Sequence, residues 1–550
     1  MTPPGIGRVG LWRYNERYID FAIGGLMSGS RIEDAVNDVA VDTGDAETPA
    51  EEAKEERPSR RNFFLGAAAV ATAALVPVRK AHAQRIQRPR PGIMTRPGAP
   101  SAVSNDTLIR LVNRITVGAT EDEVKRAKSM GFTKYLEYQL KYTSIPDTET
   151  DTWVQTNAPT LSQDGTALYA LDYNTLSTQL WNATVYRAAF SKRQLYERMV
   201  EFWTDHFNID FDKVGYLKTL DDRDVIRKHA LGKFPDMLKA SAHSPAMLEY
   251  LDNTRSRGRN TNQNYAREIM ELHTLGVDGG YTQNDVAELS RILTGWTIQG
   301  RGVFAFDPTG HDFTGKTFLG TDFPAQASSV GAAAIQEGER AIDMLLAHPS
   351  TAKYISKKML RWLLRYDPSD SLIDSIAQVF TKTGGDIKAM IRAILTPANL
   401  QEAPLKLKRP YHFLVSSIRA TQPTVRNMNQ LGNRQLVLLG QPLFLWDTPD
   451  GYPDNMDFWA GTILPRWNFA SYLTSQASPT GEVTFDVTAL VSLAQPAAIA
   501  AQIEKMVFAG AMSATVEAEI TAYLSAAPVS ANRVREAVSL ALSCNDFQWY

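Results

Sequence analysis

The chain of 550 residues carries a formal net charge of −2, with 44% hydrophobic and 21% charged residues. That balance suits a soluble globular protein with a large core. Residues 84–550 hold 48 basic and 48 acidic side chains, which excludes a strongly basic nucleic-acid footprint. The single cysteine, Cys544, excludes an internal disulfide, a cysteine-rich zinc module and an iron–sulfur cluster.

The first 58 residues read as an acidic, disordered n-region: residues 33–56 contain ten acidic side chains and one lysine. Ser59-Arg60-Arg61-Asn62-Phe63-Phe64-Leu65 follows and resembles the twin-arginine export consensus. Residues 62–78 are nearly uncharged and rich in alanine, too short for a membrane span of about 20 apolar residues. Arg79 and Lys80 come next, then Ala81-His82-Ala83, a small-x-small cleavage pattern that puts the mature start at Gln84. The expectation is export by the twin-arginine translocase to the periplasm or beyond, after folding in the cytoplasm. A buried Ala-rich helix and an uncleaved anchor are the alternatives, and initiation at Met27 would shorten the acidic stretch.

Residues 84–103 form a Pro/Arg-rich linker. From there to residue 550 the pattern predicts a mainly α domain, of one lobe or two, with a small β-hairpin and long irregular loops. Ser104 can cap a helix through Arg114, and Thr120 with Glu123 can form a capping box for the next, which ends at Gly131. Amphipathic segments recur at about 167–190, 192–206, 222–231, 234–252, 262–275 and 282–294. More follow at 338–347, 350–365, 370–382, 386–396, 406–420 and within 486–543. Gly276 stands where a helix C′ glycine belongs, and Thr282 can cap the helix after the Gly279-Gly280-Tyr281 turn. Val303–Phe306 alternates and is followed by Pro308-Thr309-Gly310 and Thr317–Leu319, which predicts a hairpin. Residues 440–470 read as a long Gly/Pro/Trp loop of a kind that is often functional.

The densest chemistry lies in residues 262–297. On an α-helix at 100° per residue, Asn264, Glu268 and Glu271 share a face that Leu275 continues, while His273 points roughly the opposite way. Two close carboxylates can do general acid–base work or bind a divalent cation. The plain alternative is a salt-bridged face, with Glu271 on Arg267 and Glu268 on another helix. The candidate catalytic residues are Glu268, Glu271, His273, Asn264, His311 and Asp312. His206 and His243 are candidate metal ligands, although no local His-Glu-x-x-His spacing supports them and each alone reads as a hydrogen-bonded structural residue. His229, His348 and His412 look more ordinary still. No nucleophile elbow, phosphate-binding loop or dinucleotide-type glycine loop is present. Trp296, Trp446, Trp459 and Trp467 could line a groove, or simply pack.

Many phrases occur together and in order: Arg110-Leu111-Val112-Asn113-Arg114, Phe202-Trp203 with His206-Phe207, and Ser244-Pro245-Ala246-Met247-Leu248 with Asp252-Asn253. Asn264-Tyr265-Ala266-Arg267-Glu268, Glu271-Leu272-His273-Thr274-Leu275-Gly276, Leu293-Thr294-Gly295-Trp296, His311-Asp312 and Arg466-Trp467-Asn468-Phe469-Ala470 continue the series. Over residues 104–549 the chain resembles the bacterial family called domain of unknown function 1800. The resemblance implies an exported, mostly helical protein, with a co-exported sulfatase-like protein as the partner to expect, and supplies no reaction. Leu445-Trp446-Asp447-Thr448-Pro449-Asp450 departs from the Pro-Pro-Asn that members often carry after Leu-Phe. Two readings stand side by side. One is an enzyme with a polar pocket, metal-assisted or not, built from Asn264, Glu268, Glu271, His206, His243 and His311-Asp312. The other is a non-catalytic platform that binds a co-exported protein or an envelope polymer.

Overall fold

The computed structural model describes residues 98–100, 106–475 and 482–550. Arg60, Arg61, Ala83, the acidic n-region and Ser104 lie outside the described residues. Among those described, helices dominate, strands occur only as three two-stranded antiparallel pairs, and no helix is long and apolar enough to cross a membrane.

The helices that carry the argument are α1 (Thr107–Ile115), α2 (Glu121–Met130), α3 (Tyr173–Phe190), α4 (Gln194–His206), α5 (Gln263–Glu268) and α6 (Gln283–Ile292). Four short strands follow: β1 (Trp296–Gln299), β2 (Val303–Phe306), β3 (Lys316–Phe318) and β4 (Thr321–Phe323). Beyond them come α7 (Pro349–Leu363), α8 (Pro410–Thr421), β5 (Thr424–Val425), α9 (Ile463–Thr474), β6 (Val483–Thr484) and α10 (Ala531–Ser543).

Apolar periodicity organises these helices around two large clusters. One spans side chains from Ile109 to Ala403, and the other is built mainly from residues 411–547. Helix α3 serves both, with Leu176, Leu180 and Trp181 in the first and Val185, Ala188 and Ala189 in the second. Helix α8 is buried along its whole length, as a helix central to a core must be. Burying each large side chain here contributes roughly 1.5–3 kcal/mol.

Local signals explain most boundaries. Asp106 caps α1, accepting from the Leu108 amide at 2.8 Å. Thr120 caps α2, but the Glu123 carboxylate accepts from the Tyr135 hydroxyl at 2.8 Å, so the expected reciprocal box does not close. Thr282 and Asp285 do form a full capping box on α6. Ser244-Pro245 breaks the expected 234–252 helix into Phe234–Ala242 and Pro245–Tyr250, since proline removes a donor and crowds the preceding turn.

Three expectations need correction. Val303–Phe306 pairs with Trp296–Gln299 and not with the strand at 316–318, which forms its own hairpin with Thr321–Phe323 through Leu319-Gly320. Only the short turn Leu293-Thr294-Gly295 separates Trp296 from the end of α6 at Ile292. The 262–275 segment is α-helical only to Glu268; Ile269–Thr274 is π-helical. Finally, the 440–470 stretch is irregular only in its first half, because Met456–Trp459 and α9 are helical.

Candidate active site

Glu268 is the last residue of α5, where the chain changes from α to π winding. In the π segment the Leu275 amide donates to the Met270 carbonyl at 2.8 Å and the Thr274 hydroxyl to the Ile269 carbonyl at 2.6 Å. The wider turn changes the angular register that a straight α-helix would give, and such bulges concentrate at functional sites. The bulge ends at Gly276, whose φ of +81° and close seat on the Tyr354 ring exclude a side chain.

Glu268 and Glu271 are both half-buried. Arg267 sits 3.4 Å from the Glu271 carboxylate and also donates to the Gln283 side-chain oxygen at 3.0 Å. The Glu268 carboxyl has no hydrogen-bond or ion partner among the described residues. Burial, then the negative charge of Glu271, pushes it up to about 7; Arg267 opposes the shift and Asp450 adds to it. Beside Glu271, burial and that carboxylate keep the Tyr281 hydroxyl protonated.

Asp450 comes from the irregular stretch between the helices Asn433–Leu439 and Met456–Trp459. Its carboxylate accepts from Trp446 Nε1 at 3.0 Å and from the Thr448 hydroxyl at 2.5 Å. Asn208, just past α4, donates to the Trp446 and Thr448 carbonyls, each at 2.8 Å. Tyr250 donates to the Asp447 carbonyl at 2.9 Å. Gly451, at φ +72°, rests on the Asp205 carbonyl so closely that a Cβ would overlap it. Asp205 is raised to about 6 by burial, against the pull of Arg409 and with the help of Glu201.

Behind the carboxylates, α7 contributes Tyr354 and Lys358. Burial lowers Lys358 to about 8; Arg361 lowers it further, and the charges of Asp205, Asp450 and Asp454 pull the other way. His206, at the end of α4, donates through Nε2 to the His273 carbonyl at 3.2 Å, with ring centroids 6.0 Å apart. Both imidazoles are fully buried and held neutral; burial takes His273 down to about 3 and His206 well below its usual value.

The expected residues therefore divide. Glu268 and Glu271 lie together, and His273 and His206 form a separate buried pair. Asn264 is exposed and ties α5 to its neighbour, its amide donating to the Leu251 carbonyl at 3.4 Å. His243 lies 2.6 Å from Glu339, its ring tilted against Phe304 at a centroid distance of 4.4 Å. His311 Nε2 is 3.4 Å from Glu337, which also holds Lys316 at 2.7 Å, and Asp312 accepts from Arg291 at 2.8 Å. These last three residues are structural ties and do not complete the pocket. Among the described residues no three His, Cys, Asp or Glu side chains could share a metal ion, so the metal set drawn from His206 and His243 is not assembled. Nor do the four tryptophans form one groove: Trp296 and Trp459 are buried, whereas Trp446 joins Tyr452 and Phe458 in the loop.

Sequence reasoning passed over Lys358, Asp205 and Arg409. One signal was available for Asp205. Glu197, Glu201 and Asp205 recur every four residues on α4, a helix otherwise built for the core.

With this geometry in hand, the comparison with known families is decisive on kinship alone. Residues 110–549 match the model of the proteins of unknown function designated DUF1800. The chain belongs to the DUF1800 family. No curated protein and no solved structure gives a significant match. Several of the motifs that carry this DUF1800 resemblance have structural work. Arg110 donates to the carbonyls of Leu400, Gln401 and Ala403, and Arg114 to those of Pro404 and Tyr550. Asn253 donates to the Leu293 and Trp296 carbonyls and so seats β1. Among the described residues of its motif Glu268 has no such partner, whereas Asn264, Tyr265, Arg267 and Thr274 each do.

Proposed function

We propose that this DUF1800 protein is an exported acid–base enzyme in which Glu268 carries the proton. One observation supports the reading above others: a half-buried carboxyl, without hydrogen-bond or ion partner, poised near neutral pH between Glu271 and Asp450. Carboxyl groups in such surroundings are the usual general acids of neutral-pH chemistry. The step is a hydrolysis. Protonated Glu268 gives its proton to the departing oxygen as that bond breaks, and water attacks while Glu271 takes up the water's proton. Glu271, kept beside Arg267, suits the base role. The twin-arginine motif at Arg60-Arg61 supports action outside the cytoplasm.

The test is a panel of chromogenic glycosides, esters and phosphate esters with the folded protein. Turnover should titrate near pH 7 and vanish in Glu268→Gln and Glu271→Gln. A Glu268 carboxyl that titrates near 4.5 by carbon-13 NMR, or unchanged turnover in Glu268→Gln, would overturn the reading. Export is checked separately, by loss of the extracytoplasmic protein in the Arg60→Lys/Arg61→Lys double variant.

A second reading is a helical platform for a co-exported sulfatase-like protein or an envelope polymer. Exposed Phe458, Leu464 and Trp467, on and beside α9, favour it. A triple change of these residues to serine that leaves periplasmic pull-down unaltered counts against it.

A further inference from the structure

A cleft runs between α4, the start of α8 and the stretch 441–452. Glu197, Glu201 and Asp205 line it from α4, one per turn and so about 6 Å apart along the axis. Asp222 lines it from a second π-helical segment, Asp222–Arg227. The wider π turn sets Asp222 and Arg227 on one face, and Arg227 Nε donates to Asp222 Oδ2 at 2.9 Å. The cavity measures about 30 Å³, room for about two water-sized groups.

Guanidinium groups hold these carboxylates without using all of their oxygens. Arg227 donates to both oxygens of Glu197 at 3.1 Å, while Arg198 and Arg409 take one oxygen each of Glu201. Asp205 gives Oδ2 to Arg409 and Asp222 gives Oδ2 to Arg227; Oδ1 of each accepts from no group among the described residues. Arg187, buried within reach of the Glu197 and Asp222 charges, is a fourth cation against the four carboxylates. Gln441 is 2% exposed and lines the same cleft. Its Oε1 accepts from the Tyr411 amide at 2.9 Å, which fixes its orientation, and its NH2 has no acceptor among the described residues. A buried donor left open in this way costs stability unless an occupant accepts from it. Half-buried Thr204 adds a hydroxyl to the lining, and Phe444 and Tyr452 add apolar surface.

We propose that this cleft binds the hydroxyl edge of a neutral sugar, one hydroxyl accepting from Gln441 NH2 and another donating to an open aspartate oxygen. The walls offer open acceptors and an open donor together. An ammonium group only donates and would leave Gln441 unmet, and an oxyanion only accepts and would face the carboxylates. A hydroxyl does both, and the balanced wall charges suit a neutral ligand. Neighbouring hydroxyls on a rigid ring also lose little freedom on entry. The site is additional to the acid–base reading of Glu268 and does not rest on it.

The full chain, carrying nitrogen-15 in its glutamine side chains, is titrated with the methyl glycosides of glucose, galactose and mannose. Glycerol, ethylammonium chloride and sodium sulfate are run alongside at matched ionic strength. Saturable binding of a methyl glycoside is expected, tighter than glycerol, with a shift of the Gln441 NH2 signal, identified by its loss in Gln441→Met. Affinity should fall by ~10-fold or more in Asp205→Asn or in Asp222→Asn, where an amide donor can replace the open acceptor. A Gln441 signal that no glycoside moves means that water alone fills the cleft and overturns the proposal. Preferential binding of ethylammonium or sulfate overturns it too, as does undiminished glycoside binding in both aspartate variants. Should a variant not fold, the Gln441 signal of the unaltered protein decides.

Discussion

Arg409 donates to Asp205 at 2.7 Å, although 204 residues of chain separate them. The same guanidinium reaches Glu201 one turn earlier on α4. It therefore holds α4 to the start of α8 and lies beneath the loop that carries Asp450. Both carboxylates are largely buried. Arg409→Met would leave Asp205 uncompensated in the interior, while Glu201 keeps Arg198 at 3.0 Å, a loss of about 3–5 kcal/mol. Denaturant unfolding should show it as a fall in midpoint. Asp205→Asn should cost much less, because Arg409 keeps Glu201; equal losses in the two variants would contradict this.

Glu268→Gln separates stability from activity. The folded-state carboxyl sits near 7 against about 4.5 when unfolded, so the folded state holds its proton more tightly. Stability is then greatest below about pH 4.5 and declines as pH rises through 7. Glutamine removes the cost of ionising the group. The variant should be more stable than the parent by about 1–3 kcal/mol at pH 8, with little difference at pH 4.5. Melting temperatures measured across this range check the sign, and a variant equally or less stable at pH 8 would refute the assignment of Glu268.

Gly451→Ala tests the seat of the loop. The position needs positive φ, and a methyl group there meets the Asp205 carbonyl. The loop must lift, carrying Asp450 away from Glu268 and Lys358. A loss of about 1–3 kcal/mol is expected from strain of this kind, together with loss of turnover. Fluorescence of Trp446, which donates to Asp450, should report the displacement.

The fold was readable where periodicity and caps agree. Thr282 announces α6, Gly276 announces the end of the segment before it, and the carboxylate pair at Glu268 and Glu271 is visible in the spacing itself. The π winding after Glu268 was not readable, because it depends on how Gly276 meets Tyr354, 78 positions away in the chain. His273 lies buried against His206 and Phe207, while Glu271 pairs with Arg267. In sequence His243 is a candidate metal ligand and His311 and Asp312 are candidate catalytic residues, because polar residues near glycine and proline suggest a site. Their partners, Glu339, Glu337 and Arg291, lie on other elements and make them ties. Lys358 was invisible for the opposite reason: it sits in an ordinary amphipathic helix, and the charges that act on it, Asp205, Asp450 and Asp454, come from distant parts of the chain.

His273 gives the protein an acid limit. Burial holds it to about 3, against about 6.5 unfolded. The unfolded chain thus binds the proton first, and stability present above pH 6.5 is lost as pH falls towards 3. The full span corresponds to at most about 4–5 kcal/mol, a contribution opposite in sign to that of Glu268 over the shared window. His273→Gln replaces the titrating ring with a neutral amide that can still donate. Its stability at pH 7 should be lower, because the ring packs against Phe207 at 5.0 Å, but the fall between pH 6.5 and 4 should be shallower than in the parent. Parallel acid-side curves for the two proteins would show that His273 is not the group being protonated.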